Sequence, residues 1–202
     1  NNLKPHAATL NKPNVAGAAR GNISQQPLAC ARAISWTPQS SYPNNSKEEC
    51  MEVRRIDPSE LNSLLDLYQH LHKDDDPLPG ASTVEAIWRE LQSNPRYRYF
   101  GVYVADKLIC SCTITVVPNL TRGCKPYGLI ENVVTHTAHR NRGYGKAVLA
   151  EALSFAWSQG CYKVMLMTGR KDEATFQFYE SAGFNRHDKQ AFTAKESKCQ
   201  SI

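Results

Sequence analysis

The sequence predicts an α/β (α+β) domain in which a mixed, mostly antiparallel central sheet carries helices on both faces. Two observations lead to this fold class. Two long runs rich in Tyr, Val, Ile and Thr meet at Asp106-Lys107, which is typical of a hairpin and hence of antiparallel pairing. Further along, a strand pattern, a helix pattern and a second strand pattern follow one another, and such a βαβ unit adds a parallel pair to the sheet.

Capping signals and periodicity define the first half of the domain. Residues 57–60 (Asp-Pro-Ser-Glu) combine a capping residue, a proline suited to the first helical position and the Glu of a capping box. Ser82 and Glu85 form a second capping box. The elements predicted here are a strand at 52–56, a helix from Asp57, a helix from Ser82 to Ser93, and strands at Tyr97–Ala105 and Leu108–Pro118.

Glycines delimit the elements of the second half. Gly160 and Gly183 follow two apolar periodic segments and are predicted to end helices there. The elements predicted here are a strand at Tyr127–Thr135, a helix from Gly143 to Ser158, a strand at Lys163–Thr168, a helix at Asp172–Ala182 and a last strand at Gln190–Lys195.

Residues 1–50 are predicted to be a disordered or leader segment, and residues 51–202 the folded domain. The first 50 residues are rich in Asn, Ala, Ser, Pro and Gln and show no periodicity, so they cannot bury enough apolar surface to offset the cost of ordering. Residues 1–47 hold five of the 24 Lys and Arg but none of the 19 Asp and Glu. This composition also resembles an organelle transit peptide, which is the alternative to the cytoplasmic location that we expect.

Composition argues against several classes of protein. The net charge of +5 lies in residues 1–47, so the folded domain is neutral and no nucleic-acid partner is expected. No run of about 18 apolar residues occurs, so no membrane association is expected. Seven cysteines without a CxxC pair favour a reducing compartment over a disulfide scaffold. His136 and His139 lack a second ligand cluster, so no metal site is predicted.

The chemistry concentrates in residues 130–146, where a strand runs into a loop with two glycines that opens a helix. The N-terminus of a helix carries free N–H groups and partial positive charge, which suit a phosphate or pyrophosphate. Gly143 and Gly145 would let the backbone approach such an anion closely. Their spacing differs from that of dinucleotide-binding and P-loop motifs. Taken alone, the two glycines also fit an ordinary tight turn.

Two motifs together resemble the GNAT N-acetyltransferase superfamily. The pattern Arg140-x-x-Gly143-x-Gly145 after a Val-Val strand is similar to its acyl-CoA signature Q/R-x-x-G-x-G/A, and residues 178–184 (Phe-Tyr-Glu-Ser-Ala-Gly-Phe) are similar to its F/L-Y-E-x-x-G-F segment. The resemblance extends over residues 51–195. Residues 130–133 and 160–163 further resemble the glucosamine-6-phosphate N-acetyltransferase branch.

The resemblance implies the GNAT fold and an enzyme that transfers an acetyl group from acetyl-CoA directly to a primary amine. In the family, a bulge at the position of Val133 opens a gap to the next strand, and the pantetheine arm pairs with the strand backbone there. The pyrophosphate lies on the N-terminus of the following helix. The residues that the resemblance assigns to acetyl-CoA are Val133, Val134, Thr135, Arg140, Asn141, Arg142, Gly143, Tyr144, Gly145, Lys146, Asp172 and Thr175.

Two catalytic residues follow from the same resemblance. Tyr179 would donate a proton to the departing CoA thiolate, since a phenol is protonated at neutral pH. The alternative is a tyrosine that only packs its ring in the core. Glu131 lies two residues before Val133, hence on the same strand face, and would take the amine proton through water. The alternative is a surface glutamate in an ion pair.

The acceptor is expected to be the amine of a small molecule: an amino sugar, an aminoglycoside, a polyamine or an amino acid. The residues predicted to bind it are Glu131, Asn132, Asn119 and Arg122. Arg122 would hold a phosphate or carboxylate, and the aspartates at 74–76 would attract a polycation, although both loops are also compatible with a plain solvated surface. Asn132 stands where the amino-sugar branch has Asp, and Asp172 where the family often has Asn, which leaves this acid free to cap its helix.

Other functions remain open from sequence. A protein Lys or N-terminal acetyltransferase belongs to the same class, whereas a non-catalytic acyl-CoA sensor would use the same cleft without chemistry. The presence of Tyr179 and Glu131 favours catalysis. Binding of nucleic acid through the basic residues of segment 1–47 would rest on dispersed charges alone. A homodimer is the one protein partner considered.

Overall fold

The computed structural model describes residues 50–71 and 75–195. Its sheet has five strands in sequence order, β1 to β5; the first four are antiparallel, and β5 runs parallel to β4. The strands are β1 (Met51–Arg55), β2 (Tyr97–Val104), β3 (Lys107–Val117), β4 (Tyr127–Thr135) and β5 (Val164–Leu166). The helices are α1 (Leu61–Tyr68), α2 (Ala81–Ser93), α3 (Tyr144–Ser158) and α4 (Glu173–Ser181), with 3₁₀ turns at Pro58–Glu60 and Thr137–His139. This architecture confirms the predicted fold class.

Three predicted details are wrong. The hairpin turn lies at Ala105-Asp106, both with positive φ as a two-residue turn requires, and not at Asp106-Lys107, since Lys107 already belongs to β3. Residues 190–195 form no strand; they are exposed, and Phe192 is 91% accessible, so the apolar side chains of this segment do not pack against the domain as those of a strand would. The helix predicted to start at Ser82 starts at Ala81 and has Gly80, not a serine side chain, at its N-cap. Ser82 therefore lies inside the first turn, where its hydroxyl cannot act as the cap.

Segment 1–49 lies outside the described residues, as does Asp74 of the predicted acidic loop. The boundary between a leader segment and the folded domain therefore stays a prediction.

The two faces of the sheet carry separate apolar clusters. On one face, α3 packs its buried side chains, among them Val148 and Leu149, against β2, β3 and β4. On the other face, Leu64 of α1 and Trp88 of α2 pack with Ile56 and Tyr99. The Trp88 indole also donates a 2.7 Å hydrogen bond to the Pro58 carbonyl. Helices therefore cover both faces, as predicted, and the sheet between them is rigidly held.

The capping box at the start of α1 is confirmed and extends into a larger polar network. Ser59 N donates to Asp57 Oδ1 at 2.9 Å, and Asp57 N donates to Glu60 Oε2 at 2.7 Å. The Glu60 carboxylate also accepts two hydrogen bonds from the Arg54 guanidinium, at 2.8 and 3.0 Å, and one from the Tyr103 hydroxyl at 2.9 Å. One carboxylate thus joins β1, β2 and the entry to α1.

We expect Glu60→Gln to destabilise the protein by about 1–3 kcal/mol at pH 7, because the amide cannot accept all of these charged hydrogen bonds. The Arg54 contact, with help from Asp57 N and against partial burial, lowers the pKa of Glu60 from 4.5 to about 2. A depressed carboxyl pKa stabilises the fold above the unfolded-state pKa, and this contribution is lost as pH falls from about 4.5 towards 2. Urea unfolding of wild type and variant at pH 7 and pH 3 measures both quantities.

Glu52→Gln is the matched control, since its side chain is 58% exposed and lies 3.4 Å from the same arginine. Its effect should stay within about 0.5 kcal/mol. If Glu60→Gln lost as much stability at pH 3 as at pH 7, the charge of the carboxylate would not be the source of the effect.

Candidate active site

A bulge distorts the middle of β4. In the ladder between β3 and β4, Asn132 and Val133 together lie opposite the single residue Cys112. Asn132 has a left-handed backbone with φ of +54°, a conformation that asparagine tolerates better than most residues. A two-against-one bulge leaves an extra residue unpaired and re-aims the strand. The bulge that the resemblance implies at Val133 is therefore present.

β4 and β5 separate directly beside this bulge. Their parallel pairing runs from Gly128 and Val164 to Ile130 and Leu166, whereas β4 continues to Thr135. Within the described part of the chain, residues 131–135 consequently have no strand partner on the β5 side. A cavity of about 770 Å³ opens into this gap.

Most of the predicted site residues line this cavity. They come from β4, from the loop and helix start after it, and from the beginning of α4. The predicted residues on its wall are Glu131, Asn132, Val133, Val134, Thr135, Arg140, Asn141, Gly143, Tyr144, Gly145, Lys146, Asp172, Thr175 and Tyr179. The structure thus brings these residues together, while the ligand that each one binds stays a prediction.

Three predicted residues do not line the cavity. Arg142 is exposed, as is Arg122 in the loop between β3 and β4. The Asn119 amide closes that loop by donating to the Thr121 carbonyl and hydroxyl, each at 2.9 Å. The loop hydrogen-bonds internally, away from the gap between β4 and β5, so Asn119 and Arg122 do not reach the cavity in this structure.

The N-terminus of α3 opens into the cavity without a side-chain cap. Gly143 occupies the N-cap with φ of +84°, and the first helical bond runs from Ala147 N to the Gly143 carbonyl at 3.1 Å. The N–H groups of Tyr144, Gly145 and Lys146 therefore have no partner within the helix. With the ammonium of Lys146 beside them, these donors form a site suited to an anion.

The two glycines of the motif have different structural roles. A Cβ at Gly143 would meet no atom within 4 Å, so this position borders open space. A Cβ at Gly145 would lie 2.9 Å from Cζ of Phe178. Gly145 thus also allows α4 to pack closely on α3, while the approach of both glycines to an anion stays a prediction.

Arg140 links the cavity loop to α1. Its Nε donates to the Thr135 carbonyl at 3.3 Å, and its Nη2 donates to the His70 carbonyl at 3.2 Å. The side chain therefore ties the end of β4 to the end of α1 while it borders the cavity. The Thr135 carbonyl, predicted to pair with a ligand, already accepts one hydrogen bond.

Tyr179 combines the two roles considered for it. Its ring packs against Phe178 and Phe184, with centroid distances of 4.8 and 6.3 Å. Its residue nevertheless borders the cavity, and its hydroxyl makes no hydrogen bond to any described residue. Burial, reinforced by the negative charge of Glu131, raises the pKa of Tyr179 above the ordinary value of a phenol, while the charge of Arg170 opposes the shift. The hydroxyl is therefore protonated at neutral pH and free to donate.

Glu131 stands on the cavity wall, exposed, close enough to affect the pKa of Tyr179. No Lys, Arg or His among the described residues lies within ion-pair distance of its carboxylate. The structure therefore does not show the surface ion pair considered as the alternative role of Glu131. The sequence reasoning placed Glu131 and Val133 on one face by strand alternation. The bulge at Asn132 interrupts that alternation, so the proximity of Glu131 to the cavity has a different origin than predicted.

Sequence reasoning missed two parts of the wall. One is the turn after α1, represented by His70 and Leu71, and the other is the loop Met167–Arg170 after β5. The second had a usable signal: β5 is parallel to β4, so the loops after both strands lie at the same edge of the sheet. The turn after α1 had no signal in the sequence, because the approach of α1 to β4 depends on tertiary packing.

Within residues 50–71 and 75–195, no group of three or more His, Cys, Asp and Glu side chains is arranged to hold a metal ion. In the same residues, no helix has the length and apolar character needed to cross a membrane.

Comparison with known proteins agrees with this geometry. Residues 61–184 match the model of the acetyltransferase (GNAT) family. The chain is 31% identical over 140 residues to the glucosamine 6-phosphate N-acetyltransferase of Trypanosoma brucei brucei, a match that covers 69% of this chain and 92% of that protein.

Solved structures give the same result. A putative acetyltransferase from Agrobacterium tumefaciens str. C58 is 40% identical, with a TM-score of 0.67, over 72% of this chain and 99% of its own. The glucosamine-6-phosphate N-acetyltransferase of Arabidopsis thaliana shares the fold, with a TM-score of 0.63 and 21% identity over 73% of this chain and 99% of its own. The paired motifs, the bulged β4 beside a separated β5 and the family match lead to one conclusion: this chain belongs to the GNAT family of N-acetyltransferases.

Proposed function

We propose that this enzyme transfers the acetyl group of acetyl-CoA to the primary amine of a small molecule, with an amino sugar phosphate as the first candidate. The observation that carries the proposal is the cavity itself. It joins an uncapped helix N-terminus, an open bulge and the free hydroxyl of Tyr179 on one continuous wall.

Each part of the wall has a role in binding acetyl-CoA. The N–H groups at the start of α3 and the ammonium of Lys146 would take the pyrophosphate. The backbone of residues 131–135, unpaired towards β5, would take the amide groups of the pantetheine arm. This arrangement brings the thioester to the bulge, where a backbone N–H at Val133 would stabilise negative charge on the carbonyl oxygen.

The chemistry then needs two proton movements. The amine nitrogen forms a bond to the thioester carbon, the carbonyl oxygen becomes an oxyanion, and the carbon–sulfur bond breaks as the carbonyl re-forms. The nitrogen loses a proton to Glu131 through water, and the departing sulfur takes the proton of the Tyr179 hydroxyl. A carboxylate and a protonated phenol on the same cavity wall meet both needs.

The choice of acceptor rests on similarity and on charge. The relative from Trypanosoma brucei brucei is named for acetylation of glucosamine 6-phosphate, and Arg170 borders the cavity near Tyr179, where a guanidinium suits an anionic acceptor. Aminoglycosides, polyamines, amino acids and protein Lys or N-terminal amines are the competing acceptors.

The test measures release of free CoA thiol from acetyl-CoA with a panel of amines, and mass spectrometry identifies the acetylated product. Glucosamine 6-phosphate should exceed glucosamine, the matched acceptor without phosphate, by about tenfold or more in kcat/KM, since a charged hydrogen bond contributes about 1.5–3 kcal/mol. Spermidine, an aminoglycoside, an amino acid and a Lys peptide complete the panel. A preference for any of these would overturn the acceptor, and acetyl-CoA binding without thiol release would identify a sensor.

We also propose a reducing, cytoplasmic location. The five cysteines among the described residues are all free, and Cys110 and Cys112 are buried side by side in β3. Burial raises the pKa of the Cys110 thiol to about 11. Inert buried thiols of this kind are typical of proteins that do not rely on disulfides.

A further inference from the structure

Three hydroxyl groups form a buried cluster on the sheet face beneath α1. Ser111 and Thr113 are 0% and 5% exposed, and the Tyr68 hydroxyl, at the end of α1, is buried beside Thr113. None of the three hydroxyls has a hydrogen-bond partner within the described residues. Buried hydroxyl groups are hydrogen-bonded in nearly all native proteins, so their nearest polar neighbours are the side chains to consider as partners.

The cluster lies directly behind the bulge of β4. Thr113 pairs with Glu131, the residue that precedes Asn132. The core of this sheet face is apolar and includes Leu64, Trp88 and Tyr99. None of the three hydroxyl residues lines the acetyl-CoA cavity. Buried hydroxyl groups therefore lie behind the bulge and outside the cavity.

The Tyr68 hydroxyl is the centre of the cluster. Burial raises its pKa well above the ordinary value of a phenol, while the polar groups of Thr113 and Asn132 act in the opposite direction. Both side chains are therefore immediate neighbours of the phenol oxygen, although neither forms a hydrogen bond of standard geometry with it.

We propose that Tyr68 and Thr113 are positioning residues that hold the Asn132 side chain from behind and thereby fix the left-handed backbone of the bulge. Asn132 has φ of +54°, which costs free energy for any residue with a side chain unless its surroundings fix it. Holding its amide fixes the direction of the neighbouring Val133 N–H. The proposal rests on the proposed function, in which that N–H stabilises the oxyanion.

The same end of α1 is anchored a second time. His70, two residues beyond Tyr68, accepts a hydrogen bond from Arg140 through its carbonyl and lies 4.0 Å from the His136 ring, centroid to centroid. Arg140 in turn donates to Thr135, at the end of β4. Contacts at the bulge and at the end of β4 therefore hold α1 on both sides of residues 132–135, as a positioning role requires.

A double-mutant cycle tests the proposal. Asn132→Gly keeps the left-handed backbone accessible but removes the amide, and Tyr68→Phe removes only the hydroxyl. We expect Tyr68→Phe to lower kcat about tenfold at saturating substrates, less than the loss of an oxyanion donor itself, with acetyl-CoA Kd within about twofold. In the Asn132→Gly background the same substitution should change kcat by less than about twofold, because coupled residues are not additive. Thr113→Val should behave like Tyr68→Phe.

Tyr99→Phe is the matched control, since Tyr99 is a buried tyrosine on the same sheet face that pairs opposite Thr113 on β2. It should leave kcat unchanged. A loss in Tyr68→Phe that is fully additive with Asn132→Gly, or an unchanged kcat, would overturn the proposal. So would a fall in kcat that simply follows the melting temperature.

A second measurement does not depend on turnover. Amide hydrogen exchange at residues 132–134 should be faster in Tyr68→Phe than in wild type or Tyr99→Phe, because a released bulge opens more often. If wild type acetylates no amine, the proposed function fails, but hydrogen exchange still tests whether Tyr68 positions the bulge. Unchanged exchange at these amides would overturn the positioning role of Tyr68 even in an active enzyme.

Discussion

Tyr179→Phe should lower kcat by about 10²–10⁴, the range typical of losing a general acid. The substitution keeps the ring, and with it the packing on Phe178 and Phe184, but removes the proton donor. Acetyl-CoA affinity should change little, because the anion-binding helix start is untouched. The loss should be largest at low pH, since a thiolate needs protonation less as pH approaches the thiol pKa of about 8.5. Measuring kcat from pH 6 to 9 with saturating amine checks both expectations.

Tyr162→Phe serves as the control, because Tyr162 is exposed and lies outside the cavity. It should retain full activity at every pH. A Tyr179 variant within about twofold of wild type across this range would reduce the residue to a packing role. Parallel losses of kcat and melting temperature would show that the hydroxyl supports the fold.

Gly143→Val should weaken acetyl-CoA binding by about ten- to a hundredfold, equivalent to about 1.4–2.8 kcal/mol. Two physical effects combine here. The φ of +84° is strained for a β-branched residue, and the added side chain would occupy space at the uncapped helix start that the pyrophosphate requires. Isothermal calorimetry with acetyl-CoA measures the effect on Kd.

Gly160→Val separates these two effects. Gly160 also has a left-handed backbone, with φ of +74°, and a Cβ added there would meet no atom within 4 Å, but this glycine follows the other end of α3 and lies outside the cavity. Both variants should lose about 1–2 kcal/mol of stability from strain, whereas only Gly143→Val should lose affinity. Equal Kd values for folded Gly143→Val and wild type would place the pyrophosphate elsewhere.

Local patterns predicted most of the fold. The hairpin between β2 and β3 (predicted one residue too late), the Asp57 capping box and the glycines that end α3 and α4 each depend on neighbouring residues, so they can be predicted from the sequence. Asp172, predicted as a cap, accepts from Thr175 N at 2.9 Å and begins α4. The strand predicted at 190–195 was wrong because a strand needs a partner, and its own pattern cannot supply one.

In the candidate site, too, local motifs could be predicted from the sequence, whereas contacts between distant elements could not. The helix start at Gly143 and the position of Tyr179 depend on motifs that are local, and both reach the cavity. The roles of Gly145 and the end of α1 depend on which helix packs where, and periodicity does not contain that information. The loop of Asn119 and Arg122 has charge and polarity suited to a ligand, yet its internal hydrogen bonds direct it elsewhere.

Where β4 separates from β5, residues 131–135 of β4 have unpaired backbone groups on one side, like a strand at the outer edge of a sheet. Outer edges of sheets are guarded by charged side chains, prolines or short length, because unpaired N–H and C=O groups recruit other strands. Here the open row is only five residues long and lies in a cleft, with α4 on one wall and the start of α3 at its end. An extended chain of amides that ends in a polyanion fits such a recess, whereas a longer polypeptide strand would meet the helix start. Under the proposed function, this short open row of β4 would select a thioester that carries a nucleotide tail.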